Sequence, residues 1–224
     1  MRNTIPLPPQ KCGPFFNLAG IVRRATLETP AGPLLLHDNC PSSLIESLRA
    51  DHGLRAFARR PEREHRLLLN IASKPENKLT IAYTPTGDIV GEVTLAPADA
   101  RWGNTEHIYE VAVEVSEGWR RWGIAHRLLA FALELDTLEQ MIIVGMGLSW
   151  HWDVEGVGLT MYQYREMMAR LFAAYGFSEY LTSEPNIRMS PANIFVARIG
   201  KYVDRHILNT FFARLLQSDS LPGL

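Results

Sequence analysis

The stretch Trp119-Arg120-Arg121-Trp122-Gly123 stands directly before an apolar helical run that opens at Ile124. The first backbone N–H groups of a helix have no partner within it, and the helix dipole is positive at that end. A loop feeding such an end can wrap a phosphate. Gly123 lets the backbone approach closely, small Ala125 leaves the site open, and Arg120, Arg121 and Arg127 add positive charge. The chemistry favoured is binding of a pyrophosphate-bearing ligand. The same residues also read as an Arg-rich surface loop whose tryptophans fold back on the core, because one glycine at a helix start is a weak signal.

A second group lies at Trp150-His151-Trp152-Asp153, among Gly145, Gly147, Gly156 and Gly158. It combines two aromatic walls, an imidazole able to relay a proton and a carboxylate able to attract a cation. The plainer alternative has the tryptophans plugging the core and Asp153 capping a turn. No metal site is expected: the seven histidines are scattered and His151-x-Asp153 offers only two ligands. Walker-type phosphate loops and G-x-S-x-G elbows are absent from the sequence.

These residues need elements to hold them. "KLTIAYT", "DIVGEVTLA" and "HIYEVAVEV" are β-rich runs, the first two joined by the hairpin signal "PTGD". The third run alternates Glu110, Ala112 and Glu114 against Val111, Val113 and Val115, the two faces of one strand. A helix is predicted from Ile124 to about Leu138, then a strand at "MIIVGM", a helix from about Thr160 to Ala174 closed by Gly176, and a strand at "NIFVARIG". Upstream, Ile21–Thr29 and Leu34–His37 read as strands. Ser42 or Ser43 caps a helix reaching Asp51, and Pro61 opens another. The organisation is a Pro-rich arm over residues 1–17, one α/β (α+β) domain over 18–203, and a terminal helix and tail over 204–224.

Composition bounds the partners. The 224 residues are 46% hydrophobic and 21% charged, with a formal net charge of −1. Nucleic acid and membrane surfaces are therefore not expected partners. No run reaches the ~18 apolar residues of a membrane span. Cys12 and Cys40 form no metal or redox spacing, which points to a reducing, cytoplasmic compartment, although a disulfide between them stays open.

Arg120-x-x-Gly123-x-Ala125 resembles the (Gln/Arg)-x-x-Gly-x-(Gly/Ala) signature of the GCN5-related N-acetyltransferases, and it sits where that family has it, between a meander and a long helix. "SWHWDVEGVGLTMYQYREMMARLF" and "SPANIFVARIGK" are further similar to the acetoin-utilization branch, over roughly residues 46–201. The resemblance implies the family's single fold, with a mixed central sheet and a strand–loop–helix unit for coenzyme A. It implies acetyl-CoA as cosubstrate, its pyrophosphate on the loop Arg120, Arg121, Trp122, Gly123, Ile124 and Ala125, and its pantetheine arm along Val113 to Val115. It also implies a protein lysine acceptor, on AMP-forming acetyl-CoA synthetase. A small amine acceptor and a non-catalytic acyl-CoA sensor remain the alternatives. Oligomeric state is not legible.

Acetyl transfer needs a neutral amine, and a free lysine with pKa about 10.4 is almost wholly protonated at pH 7. By the resemblance Glu110 is the leading base, with Glu114 on the same face as substitute. The backbone N–H near Val113 would hold the oxyanion. Trp150 and Trp152 would wall a tunnel for the lysine arm, with Asp153 attracting its ammonium and His151 relaying a proton. The family's usual general-acid tyrosine is replaced by Phe172, four residues before Gly176-Phe177, and Arg165 stands where an asparagine is common. Tyr162, Tyr164 and Tyr175 are the candidate replacements.

Overall fold

The structure, a computed structural model, describes residues 22–57, 60–103 and 105–217. The Pro-rich arm, Cys12 and the last seven residues lie outside these.

A hairpin starts the sheet: β1 (Arg24–Thr29) and β2 (Gly32–His37) pair antiparallel around Pro30-Ala31. Gly32 closes that turn at φ 111°, a conformation side chains rarely adopt. The short α1 (Ser42–Glu46) follows Pro41 with no side-chain cap. The predicted helix to Asp51 is corrected here. Arg49–Ala50 is instead a two-residue strand, β3, paired parallel with β5 at Asp88–Ile89. Sheet pairing at that edge outweighs weak helix propensity. α2 (Pro61–Ala72) starts as predicted, with proline in its first turn and Glu62 and Glu64 beside it.

The meander is β4 (Lys78–Tyr83), β5 (Asp88–Pro97) and β6 (Ile108–Val115). Then come α3 (Ile124–Leu133) and β7 (Ile142–Gly147), a strand–helix–strand crossover in which β7 runs parallel to β6. α3 ends five residues earlier than its apolar pattern predicts. Glu134 leaves helical geometry, and a 3-10 turn over Asp136–Gln140 buries Leu138 in place of another helical turn. α4 (Val154–Val157) and α5 (Met161–Ala173) follow, the latter opened by a full capping box between Thr160 and Gln163. β8 (Ser178–Glu179), α6 (Pro185–Arg188), β9 (Ile194–Ile199) and α7 (Arg205–Leu215) complete the chain.

The strand order is β1-β2-β4-β5-β6-β7-β9-β8. On one face α3 and α5 bury Val93, Leu95, Val111, Leu128, Leu129 and Phe172. The other face carries two clusters: Ile45, Leu68, Leu79 and Ile81 under α2, and Trp102, Ile108, Phe195 and Phe211 under α7. Charged groups are buried among them as well. Lys78 Nζ, 1% exposed, donates to the Ala132 carbonyl at 2.7 Å and pairs with Asp38 at 2.6 Å, tying the sheet to the end of α3. Asp38 also takes Thr80 Oγ1 and Arg23. Cys40 beside it is buried and forms no disulfide among the described residues.

β6 and β7 pair only where Ile108–Glu110 faces Ile142–Val144. Beyond Glu110, β6 stays with β5 while β7 leaves with β9. This fork positions everything that follows.

Candidate active site

A cleft of about 1010 Å³ opens at the fork, lined by β6 from Glu110 to Val115, the loop into α3, the segment after β7, and one face of α5. Its chemistry starts with the backbone. Ser116 N–H donates to Val90 O and Ala98 N–H donates to Ile108 O, so even-numbered β6 residues turn their polar groups to β5. Val113 and Val115 then turn theirs to the edge that β7 has vacated. Arg120 Nε donates to Val115 O at 3.1 Å from that side, consistent with this orientation.

The loop feeding α3 departs from ordinary backbone. Arg121 lies at φ 70° and Gly123, the N-cap, at φ 73°. A non-glycine residue there costs roughly 1–2 kcal/mol. No side chain caps α3, so its first N–H groups face the cleft through Gly123, Ile124 and Ala125, all three cleft-lining. A Cβ on Gly123 would meet nothing within 4 Å. This is an open, positively polarised helix end suited to an anion.

The two arginines of the loop are occupied elsewhere. Arg120 pairs with Asp153 at 2.5 Å, and Arg121 donates to Val157 O at 3.4 Å, linking this loop to the segment after β7. Arg127 lines a separate pocket beside Tyr175. Trp119 and Trp122 meet edge to face at 5.5 Å and pack against the core; Trp119 lines the cleft, and Trp122 is not among the lining residues.

The carboxylates differ sharply in their surroundings. Asp153 caps α4 through Gly156 N–H, and its pairing with Arg120 holds its carboxyl below the usual range. Glu114 is 6% exposed. Its Oε1 accepts the N–H groups of Arg55 at 2.7 Å and Ala56 at 2.8 Å, and burial pushes its pKa up to about 7. Glu110 lies at the fork itself and accepts no hydrogen bond from the described residues. Burial, then the charges of Asp99 and Glu184, raise its pKa.

Among the tyrosines, Tyr164 lines the cleft, stacks on Trp152 at 5.0 Å, and is held above its ordinary pKa by burial. Tyr162 is 62% exposed and absent from the lining, and Tyr175 donates to His126 O. Arg165 pairs with Glu179. His151 and Trp152 line the cleft, whereas Trp150 is 44% exposed outside it and touches His151 edge-on. Phe172 is a buried cleft residue packed on Phe177.

Sequence reading missed two walls. One is the α5 face, where Met167, Met168 and Leu171 join Tyr164 and Phe172 at a helical spacing that was a legible signal. The other is the loop at Ala56 and Phe57, which carries none. Among the described residues no group of side chains could hold a metal ion, and no helix is long and apolar enough to cross a membrane.

Known proteins match this arrangement. The model of the Acetyltransferase (GNAT) family matches residues 43–142. The acetoin utilization protein AcuA of Bacillus subtilis (strain 168) is 32% identical over 192 residues, 84% of this chain and 90% of that one. AcuA of Bacillus licheniformis is 33% identical over 191 residues, 83% and 90% of the two chains. The crystal structure of an acetoin utilization protein from Exiguobacterium sibiricum 255-15 superposes with a TM-score of 0.83 at 33% identity, covering 88% of this chain and 94% of its own. The fork, the uncapped helix behind Gly123 and these likenesses agree: the chain belongs to the GNAT acetyltransferase family, in its acetoin utilization branch, and is an acetyl-CoA-dependent N-acetyltransferase.

Proposed function

We propose that this enzyme acetylates a lysine side chain of a protein, and that the protein is an AMP-forming acetyl-CoA synthetase, which the modification inactivates. One observation carries the choice of acceptor. Of the acids in the cleft, Asp153 is neutralised by Arg120 and Glu114 is bound to loop N–H groups, which leaves Glu110 uncompensated among largely apolar walls. A single free carboxylate suits one amine on an aliphatic arm; a small polycation would call for several. The resemblance to the acetoin-utilization branch implies the same acceptor class.

In this reading the pyrophosphate of acetyl-CoA rests on the N–H groups at Gly123–Ala125, and the pantetheine arm extends the vacated edge of β6 at Val113 and Val115. Trp152 and His151 line the path of the lysine arm. Glu110, with its raised pKa, takes a proton from the lysine ammonium or the attacking amine. The amine nitrogen bonds to the thioester carbon, and Val113 N–H holds the oxyanion. The C–S bond then breaks, and the departing thiolate takes a proton from Tyr164 or from water.

The test uses purified enzyme, acetyl-CoA and the synthetase of the same organism, with CoA release followed and acetyl-lysine located by mass spectrometry. One labelled lysine with loss of synthetase activity is the expected outcome. Glu110→Gln should lower kcat by about 10²–10⁴-fold. An unlabelled synthetase alongside CoA release to small amines would overturn the acceptor.

A further inference from the structure

Glu114 belongs to a group of buried carboxylates that the transfer chemistry leaves unused. It faces Glu92 directly across β5 in the sheet register, and both are almost wholly buried. Glu64 of α2, 1% exposed, lies close enough to act on both electrostatically. Three successive backbone donors converge on this group. Arg55 and Ala56 N–H meet Glu114 Oε1, and Phe57 N–H meets Glu64 Oε1 at 2.9 Å.

The preceding residues are stitched to the same strand end. Ser116 Oγ donates to Asp51, Arg55 pairs with Glu117 at 2.8 Å, and a Cβ on Gly53 would stand 2.7 Å from Glu117 N. The tethered residues form a wall of the cleft. Ala56 and Phe57 line it, and the Phe57 ring stands edge-on to His151, 5.8 Å away on the opposite side.

We propose that Glu114 is a positioning residue, which holds the Arg55–Phe57 loop as the acceptor-side wall of the cleft and, with Glu64, sets the gap between Phe57 and His151. This rests on the acetyltransferase reading above and assigns Glu114 a role distinct from that of Glu110. Two N–H groups on one oxygen favour the charged carboxylate, whereas burial and the Glu64 charge oppose it; Arg120 favours it. Burial, and then the charges of Glu114 and Glu64, push the Glu92 pKa well above the usual carboxylate range. On α5, burial and then the charges of Asp153 and Glu114 raise the Tyr164 pKa, against Arg120. The grip on the loop therefore strengthens as pH rises through about 7.

The experiment reads the loop directly. In 15N-labelled enzyme, the Arg55 and Ala56 amide protons should move downfield together as pH rises, with one midpoint near 7. Glu114→Gln keeps an accepting oxygen, so the fold and loop remain, but this titration should vanish. Glu64→Gln removes a neighbouring charge and should shift the midpoint to lower pH. With the synthetase as acceptor, Glu114→Gln should raise KM on the order of tenfold while kcat changes by less than about twofold. Amides that do not titrate, titrate unchanged in Glu114→Gln, or keep their midpoint in Glu64→Gln would overturn the tether. A large kcat loss at constant KM would make Glu114 the base and overturn it equally. If the wild type never acetylates the synthetase, the acceptor reading fails, and the amide titration alone decides the tether.

Discussion

Replacing Gly123 by alanine separates what the proposed phosphate loop costs the fold from what it would do for the cofactor. Gly123 sits at φ 73°, ψ 12°. A left-handed alanine costs roughly 1–2 kcal/mol. Its Cβ would touch no protein atom within 4 Å, so no packing penalty is added. For a chain of this size each kcal/mol lowers Tm by about 2–4 °C, so the unliganded variant should melt about 2–8 °C early. The same Cβ enters the space over the uncapped end of α3, where the proposal places the pyrophosphate. Affinity for acetyl-CoA should fall at least about tenfold, worth 1.4 kcal/mol or more. At a concentration 100 times the wild-type Kd, ligand stabilises the wild type by about 2.7 kcal/mol and the variant by about half as much or less. Thermal melts with and without acetyl-CoA, together with calorimetric Kd values, measure both effects. Gly118→Ala is the control: same loop, no positive φ, nothing within 4 Å of its Cβ, and no place in the cleft lining. It should leave Kd unchanged. A Gly123→Ala enzyme that melts early but binds acetyl-CoA as tightly as wild type would refute the assignment of this loop to the pyrophosphate.

Other perturbations test separate links. Tyr164→Phe should lower kcat about tenfold or more and remove the alkaline limb of the pH–rate profile; an unchanged profile means the thiolate leaves without its help. Asp38→Ala strands the buried Lys78 charge and should cost about 3–5 kcal/mol in urea unfolding. Burial already pushes the Lys78 pKa down and Asp38 opposes this, so the variant's deficit should shrink at higher pH, where the lysine sheds its proton. Stability should also depend on Glu114. Its folded pKa, about 7, lies above the ordinary 4.5, so its protonated form is the one folding favours. That contribution is complete below pH 4.5 and is lost as pH rises through 7, by at most about 3 kcal/mol. Glu114→Gln should flatten the fall between pH 5.5 and 8 in a series of melts, and an equal slope in both proteins would contradict the burial argument.

Much of this architecture was legible in the linear chain because it is local. The valine alternation of β6, Gly123 before an apolar helix, proline opening α2 and the helix start at Thr160 each act within a few residues. The loop proposed for the cofactor is read from them. What failed was local reading where tertiary pairing wins. Arg49–Ala50 is recruited by β5, and α3 stops where the buried Leu138 turn takes over.

The catalytic side divides in the same way. Alternation puts Glu110 and Glu114 on one face, and no periodicity can tell them apart. Their difference comes from loop N–H groups 58 and 59 residues away in sequence, which reach Glu114 and leave Glu110 free. Asp153, a candidate for attracting ammonium, meets Arg120 across 33 residues and is neutralised. Three tyrosines looked equivalent until the stacking of Tyr164 on Trp152 brought one into the cleft. Residue type and short-range spacing set which groups this chain carries and which way they point. Their partners, and so their charge and availability for chemistry, were decided only when folding brought distant segments to the fork between β6 and β7.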